Sequence, residues 1–405
     1  MPQIIEHFKN NYKKRREFLY ENGLLKYLTN SSGYVLIVVL LVISLLITMS
    51  TEFIMTAQTN INYIRKFSER LRANMLARAG INLSTIILKA DKLGVGGSIL
   101  GKKGGNKDID CYKDLWALNF PELPLEDGFL KVAIDDENSK INLSVLANEI
   151  VDSTAYYGIT QRFFLNMGLP MDYADIIKDW VDIDDSRSPY GAESSDYYLN
   201  LEYSYKAKNA AMDSIDELLM LKDMTPEIYY GLEKGAYEFA SDLVDNNKGN
   251  INIDLGFLKK ISSLDKAGMT EKINEAEEAM KFRIAKEKSK KLSDYLRVNG
   301  ERKDFTSELN KININTATFR VLSALTDKMT DDKAREIISR RLSTPFKNVD
   351  EIKDIIDDET VRKNLLSVKS YIFKITSTGI INKTAVKITG IYYRDGNKFL
   401  YWSEQ

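Results

Sequence analysis

The chain has 405 residues, with 57 lysines and arginines against 58 aspartates and glutamates. That length exceeds one hydrophobic core, so two or three structural units are expected, and the near-zero net charge provides no global field to draw the protein onto nucleic acid. One histidine, His7, and one cysteine, Cys111, leave no basis for histidine-based catalysis or zinc binding in the body of the chain, nor for an intrachain disulfide.

Residues 9–16, "KNNYKKRR", put five basic side chains ahead of an apolar run, with Lys26 nearer to it. From Tyr34 to Met55 the only charge is Glu52. As a helix this run would be roughly 33 Å long, enough to cross a bilayer core. The basic flank predicts a cytoplasmic N-terminus with the bulk of the chain on the far side. The run is long for a secretory signal and no small-x-small site follows it, which leaves a plain signal anchor or a retained stem. Beyond it, Asn60 to Ala90 contains no proline, and Ile64, Phe67, Leu71, Met75, Ala79 and Leu83 recur mostly every three or four residues. That spacing predicts an amphipathic continuation of the same helix.

"KLGVGGSILGKKGGNKD", Lys92 to Asp108, holds six glycines and must end the helix. It matches no nucleotide fingerprint and no strand precedes it, so a phosphate-cradling role is not favoured. "GFLKVAIDDENSKINLSVL" then predicts a short strand near Phe129, a turn over Asp136 to Lys140, and a helical region.

"KINLSVL" at Lys140 returns as "KININTATFRVL" at Lys311, each followed by a helix, a short turn and a second helix. Ala174 and Ala334 sit three residues before Ile177 and Ile337, small residues that let paired helices approach. "SIDELLMLKDMTPEIYYGL" from Ser214 is a weaker third copy. The pattern resembles the helix-hairpin-helix motif. Phosphate binding by such a hairpin needs glycine N–H groups, whereas "LTDKMTDD" offers aspartates and the first copy has only Gly168, so packing is favoured over nucleic-acid binding.

"DWVDIDDSRSPYGAESSDYY", Asp179 to Tyr198, is the strongest candidate for chemistry. Asp182, Asp184, Ser186 and Glu193 fall at positions one, three, five and twelve of an EF-hand-like count, but Arg187 stands where the invariant glycine would be. The residues permit either an oxygen-rich calcium site or a solvated acidic loop capped by Arg187. Asp265 to Arg302 is lysine- and glutamate-rich and reads as a solvated amphipathic helix in a structural insertion. The C-terminus gives three strand-like runs, with breaks at Gly379 to Asn382 and at Arg394 to Asn397, "RDGN". Val386, Ile388, Gly390, Phe399 and Tyr401 suggest its buried face, and the early strand near Phe129 is its expected partner.

Taken in order, the membrane run after Gly33, "DDENSKINLSVL", "DWVDIDD…PYGAESSDYY", "SIDELLMLKDMTPEIYYGL", "KININTATFRVLSAL" and "AREIISRR…PF" resemble the minor pseudopilin K family of bacterial type II secretion. The resemblance implies an α+β fold: a long N-terminal helix on an antiparallel sheet, interrupted by a large helical domain with helix-hairpin-helix-like repeats. It divides the chain into a cytoplasmic leader (1–33), a transmembrane helix (34–57), its amphipathic continuation (58–91), a glycine-rich loop with the first strands (92–141), an inserted helical domain (142–367, with the charged stretch at 265–302) and the last strands (368–405). It implies cleavage by prepilin peptidase between Gly33 and Tyr34. It puts Val38 where major pseudopilins carry glutamate, which suits a subunit at the filament tip. Partners implied are the I- and J-type minor pseudopilins, the major pseudopilin and the inner membrane, with no enzymatic activity. A calcium ion is implied on the acidic loop, with Asp182, Asp184 and Glu193 as the main ligands and Asp179 and Asp196 as secondary ones; Ser194 and Ser195 depart from the acidic residue that often follows that glutamate.

Overall fold

The computed structural model describes residues 2–21, 31–95, 107–117, 122–125, 128–147, 153–231, 291–299 and 308–405. Most of the glycine-rich stretch and of the charged insertion therefore lies outside the described residues. The chain divides into two compact units, Met1–Glu69 and Arg70–Gln405.

In the first unit, helix α1 (Pro2–Glu21) carries the basic cluster, an element the sequence reading did not anticipate. Helix α2, Ser31–Lys92, begins here and is unbroken over 62 residues, with Gly33 in its first turn. Residues 34–56 are exposed throughout. An apolar surface of this extent is not left in water, and the helix is long and apolar enough to cross a membrane. Two of its hydroxyls are satisfied within the helix: Thr48 Oγ1 donates to the Leu45 carbonyl at 2.8 Å and Thr51 Oγ1 to that of Ile47 at 2.8 Å.

In the second unit, the C-terminal part of α2 packs on a five-stranded antiparallel sheet. Strands β1 (Leu123–Leu125) and β2 (Gly128–Asp136) precede the helical region. The short strands β3 (Ile141–Asn142), β4 (Leu296–Arg297), β5 (Ile312–Asn313) and β6 (Leu366–Ser367) lie within it. Strands β7 (Ile372–Ile381), β8 (Thr384–Tyr393) and β9 (Lys398–Glu404) close the chain, and the sheet order is β1-β2-β7-β8-β9. Phe129 pairs with Ile380, as expected of the early strand. Leu130, Val132, Ile134, Phe373, Ile375, Val386 and Ile388 face Ala73, Ala77, Ile81 and Leu88 of α2 in one core. Small residues set the approach. A Cβ on Gly379 would stand 2.1 Å from the Ala73 carbonyl oxygen, and one on Gly80 would stand 2.2 Å from Ser377 Oγ.

Two sequence readings are corrected here. Gly379 is inside β7 rather than in the turn, which is made by Asn382, in the left-handed region at φ 53°, and Lys383. A bulge between β8 and β9 pairs Tyr392 with Phe399 and Gly390 with Trp402. Phe399 therefore shares a face with Trp402, its ring 5.1 Å away, and not with Tyr401.

The inserted region has its own core, and the internal echo is built into its backbone. Ile141–Asn142 pairs in parallel with Leu296–Arg297, and Ile312–Asn313 with Leu366–Ser367. Asn142 accepts the Ser144 N–H at 3.1 Å, as Asn313 accepts that of Asn315 at 2.9 Å, so each asparagine turns the chain out of its strand. Helices α3 (Ser153–Asn166) and α4 (Tyr173–Val181) follow the first strand. The third copy is a 3₁₀ turn, Ile215–Met220, and helix α5 (Pro226–Tyr230). Helices α6 (Phe319–Ser323) and α7 (Asp331–Ser343) follow the second strand, and α8 (Glu359–Leu365) precedes β6. Ala174, Ile177, Ala334 and Ile337 are all fully buried in this core. The end of the supposed solvated helix is corrected too: Leu292, Tyr295 and Leu296 are core residues, in a 3₁₀ turn and β4.

Candidate functional site

Helix α4 positions the acidic loop. Its apolar residues Ile176, Ile177, Trp180 and Val181 enter the core, with the Trp180 ring edge-on to Tyr198 at 5.3 Å. The helix ends at Asp182, whose extended ψ of 178° starts the loop. The loop is folded back by carboxylates from the helix. Asp179 accepts the Ser188 N–H at 3.2 and 3.1 Å through its two oxygens, and Asp175 accepts that of Tyr190 at 3.1 Å. Gly191 then passes so close to Asp179 that only glycine fits; a Cβ there would stand 1.8 Å from Asp179 Oδ2.

This folding brings Asp182, Asp184 and Glu193 together, with one carboxylate oxygen of each within 4.8 Å of the others. Two oxygens on opposite sides of a calcium ion lie about 5 Å apart, so a cation fits among them. Glu193 is fully buried, and its Oε1 has no hydrogen-bond partner, while Oε2 accepts the Ser194 N–H at 3.3 Å. Burial, reinforced by Asp179 and by Asp182 and Asp185, pushes Glu193 up to about 7. A buried carboxylate oxygen without a donor, facing two further carboxylates, fits a divalent cation with oxygen ligands.

The secondary ligands part company. Asp179 is committed to the Ser188 N–H and shapes the loop. Asp196 has partners of its own: Oδ1 accepts the Glu193 N–H at 2.8 Å and Oδ2 pairs with Arg187 at 3.2 Å. Arg187 thus pairs with one oxygen of Asp196 while the other caps the turn. Sequence reasoning missed Asn209, held at φ 47°, whose Nδ2 donates to the Asp184 carbonyl at 2.9 Å and to Asp185 Oδ1 at 3.1 Å. It stands outside the motif's spacing, so no local pattern could reveal it.

A second group of three carboxylates, Asp91, Asp110 and Asp114, shows the same 4.8 Å spacing. Here the positive charge is already present. Arg394 donates to Asp110 at 2.7 and 2.9 Å and to Asp91 at 3.3 Å. At the hairpin expected to repel phosphate, Asp331 and Asp332 occupy the first turn of α7.

Two family models describing type II secretion system protein K match residues 139–235 and 312–369, the two halves of the helical domain around the charged insertion. Over these two stretches the chain is similar to type II secretion protein K. It is 28% identical to the protein K of Pectobacterium carotovorum subsp. carotovorum over 210 residues, covering 49% of this chain and 60% of that one. It is 27% identical to that of Aeromonas hydrophila over 168 residues, covering 38% of this chain and 50% of that one. The alignments thus span less than two thirds of these curated relatives. The fold is similar to the crystal structure of the GspK–GspI–GspJ complex from the enterotoxigenic Escherichia coli type 2 secretion system, with a TM-score of 0.57 at 17% identity, covering 85% of this chain and 99% of that one. The long apolar helix that precedes the matched segments is long and apolar enough to cross a membrane.

Proposed function

We propose that the chain is a minor pseudopilin of bacterial type II secretion that starts or caps the pseudopilus and aids export of folded proteins across the outer membrane. In this reading it enters the inner membrane with its N-terminus cytoplasmic and its bulk periplasmic. Prepilin peptidase cuts between Gly33 and Tyr34, and the apolar segment is retained as the filament stem. Its partners are the I- and J-type minor pseudopilins, named together with protein K in the similar complex, and the major pseudopilin below them.

The observation that carries the reading is helix α2. One helix bears an apolar face exposed all round over 34–56 and then small residues that fit a sheet over Ala73 to Ser84. A secretory signal would be discarded with the first half, and a plain anchor would not require the second half to be helical and continuous with it. Val38 in place of a glutamate removes a charge for pairing with a subunit below, which fits a terminal position. Its work is binding and assembly, with no catalysis. Calcium held by Asp182, Asp184 and Glu193 would pin the acidic loop to α4 and serve a structural role.

N-terminal sequencing of the protein recovered from membranes tests the proposal. A mature chain beginning at Tyr34 is expected. A chain beginning at Met1, or beyond Met55, overturns it. Salt-dependent binding to duplex DNA would support the rival reading of a membrane-anchored DNA-uptake protein instead.

A further inference from the structure

The C-terminal end of the stem helix is held among more negative charge than its surroundings neutralise. Asp91 on the last turn of α2, and Asp110 and Asp114 on segment 107–117, are 6, 2 and 8% exposed. Arg394, just past β8, reaches two of the three: Nη1 lies at 2.7 Å from Asp110 and 3.3 Å from Asp91, and Nη2 at 2.9 Å from Asp110. Asp114 accepts the Cys111 N–H at 2.6 Å. Three ionised carboxylates beside one guanidinium would leave two negative charges uncompensated in a buried place, and carboxylates this close do not all ionise together without cost.

The same groups tie three parts of the fold. The Ser370 N–H donates to Asp110 Oδ2 at 2.8 Å, and Arg394 Nη2 donates to the Ser370 carbonyl at 2.6 Å. Asn313 of β5 donates through Nδ2 to the Asp110 carbonyl at 2.9 Å, and the Asp110 N–H donates to that of Val368 at 2.9 Å. Stem, sheet and helical domain thus meet at this cluster.

We propose that Asp91, Asp110, Asp114 and Arg394 form a proton-dependent clamp. With protons retained among the carboxylates it locks the stem end and the β8–β9 turn to the helical domain. On full ionisation it loosens that junction.

Burial first, then Asp114 and Asp110, pushes Asp91 up to about 8, and burial first pushes Asp114 up to about 7. Both therefore change charge near neutrality. The other groups facing the cluster do not reverse the sign. Lys92 is engaged outside it with Asp395 at 2.9 Å. Burial pushes the Cys111 thiol up, so it stays neutral, and pushes Tyr371 up to about 12. Burial pushes Asp136, on β2, up to about 6, adding negative charge as the pH rises. The proposal does not depend on the secretion reading, since it concerns the junction alone.

Hydrogen–deuterium exchange of the full chain in detergent micelles, from pH 5.5 to 8.5 and corrected for intrinsic exchange, tests it. Segments 107–117 and 392–397 are expected to lose protection as pH rises, by up to about tenfold per pH unit for each proton released, while 153–181 keeps its own. Asp91→Asn and Asp114→Asn, which copy the protonated carboxyl in shape and charge, are each expected to flatten this dependence. Junction protection that ignores pH in the wild type, or Asn variants that follow the wild-type curve, overturns the clamp. So does failure of both variants to fold at pH 6, because the neutral side chain is the form said to hold the junction.

Discussion

Asp179 and Gly191 are in such close apposition that a methyl group on the glycine would come to 1.8 Å from the carboxylate. Asp179 also holds the Ser188 N–H, so the pair closes the acidic loop onto α4. Gly191→Ala is expected to push the loop outward, at about 1–3 kcal/mol as for other overpacked sites. Chemical denaturation of the full chain in micelles measures this. An alanine variant as stable as the wild type would mean that the loop is not closed in this way.

Calcium is expected to stabilise the folded chain and a chelator to remove that gain. At a hundredfold its Kd the ion would add about 2.7 kcal/mol. Asp184→Ala should abolish the calcium effect at little cost to the calcium-free protein, because Asp184 is exposed while Glu193 is buried. The readout is the melting temperature with calcium and with chelator. Identical curves for the wild type in both conditions would reject the site.

Between about pH 5 and 8.5 the stability of the second unit is expected to fall. Asp91, Asp114 and Asp136 have folded-state values raised to about 8, 7 and 6 from the usual 3.8, mainly by burial. The folded state therefore binds more protons than the unfolded chain across this window, and each contribution is full below the unfolded value and lost as pH passes the folded one. Carboxylates held below their usual range, such as Asp354 beside Arg340 and Asp357 beside Lys328, act in the opposite sense, but in more acidic solution. They are exposed and screened. Denaturant midpoints followed by tryptophan fluorescence at pH 5, 6.5 and 8.5 decide the sign; rising midpoints would contradict it.

Gly379→Ala is expected to be among the most damaging single changes in the sheet, at about 3 kcal/mol, because the new methyl meets the Ala73 carbonyl oxygen and the Ala77 nitrogen at 2.1 and 2.8 Å. Backbone atoms of a continuous helix cannot step aside as a side chain can. Gly168→Ala, whose Cβ would meet nothing within 4 Å, isolates the backbone term, since its φ is +76°. Equal losses at the two positions would show that the stem does not press on β7.

These cases also show what the sequence made legible. The acidic loop could be read because its carboxylates fall within one short stretch, and Asp182, Asp184 and Glu193 do converge. Spacing cannot reveal that Arg187 pairs with Asp196. Gly379 looked like a turn because glycine usually weakens a strand, whereas here the missing side chain admits the backbone of another element. The clamp around Arg394 was invisible: Asp91, Asp110 and Arg394 belong to three distant segments, and nothing local marks them as neighbours. Period-2 and period-3.6 patterns expose faces, but not which faces meet.

Asp136 at the end of β2 pairs with Phe373 near the start of β7, so residues 137–371 leave and rejoin the sheet at one corner. For the hydrogen-bonded ladder this whole excursion is equivalent to a hairpin turn. The sheet and stem form a chassis whose strand pairing makes no demand on the length of what is spliced there. What is spliced at that corner can therefore be enlarged, shortened or exchanged while the sheet and the helix packed on it keep their register.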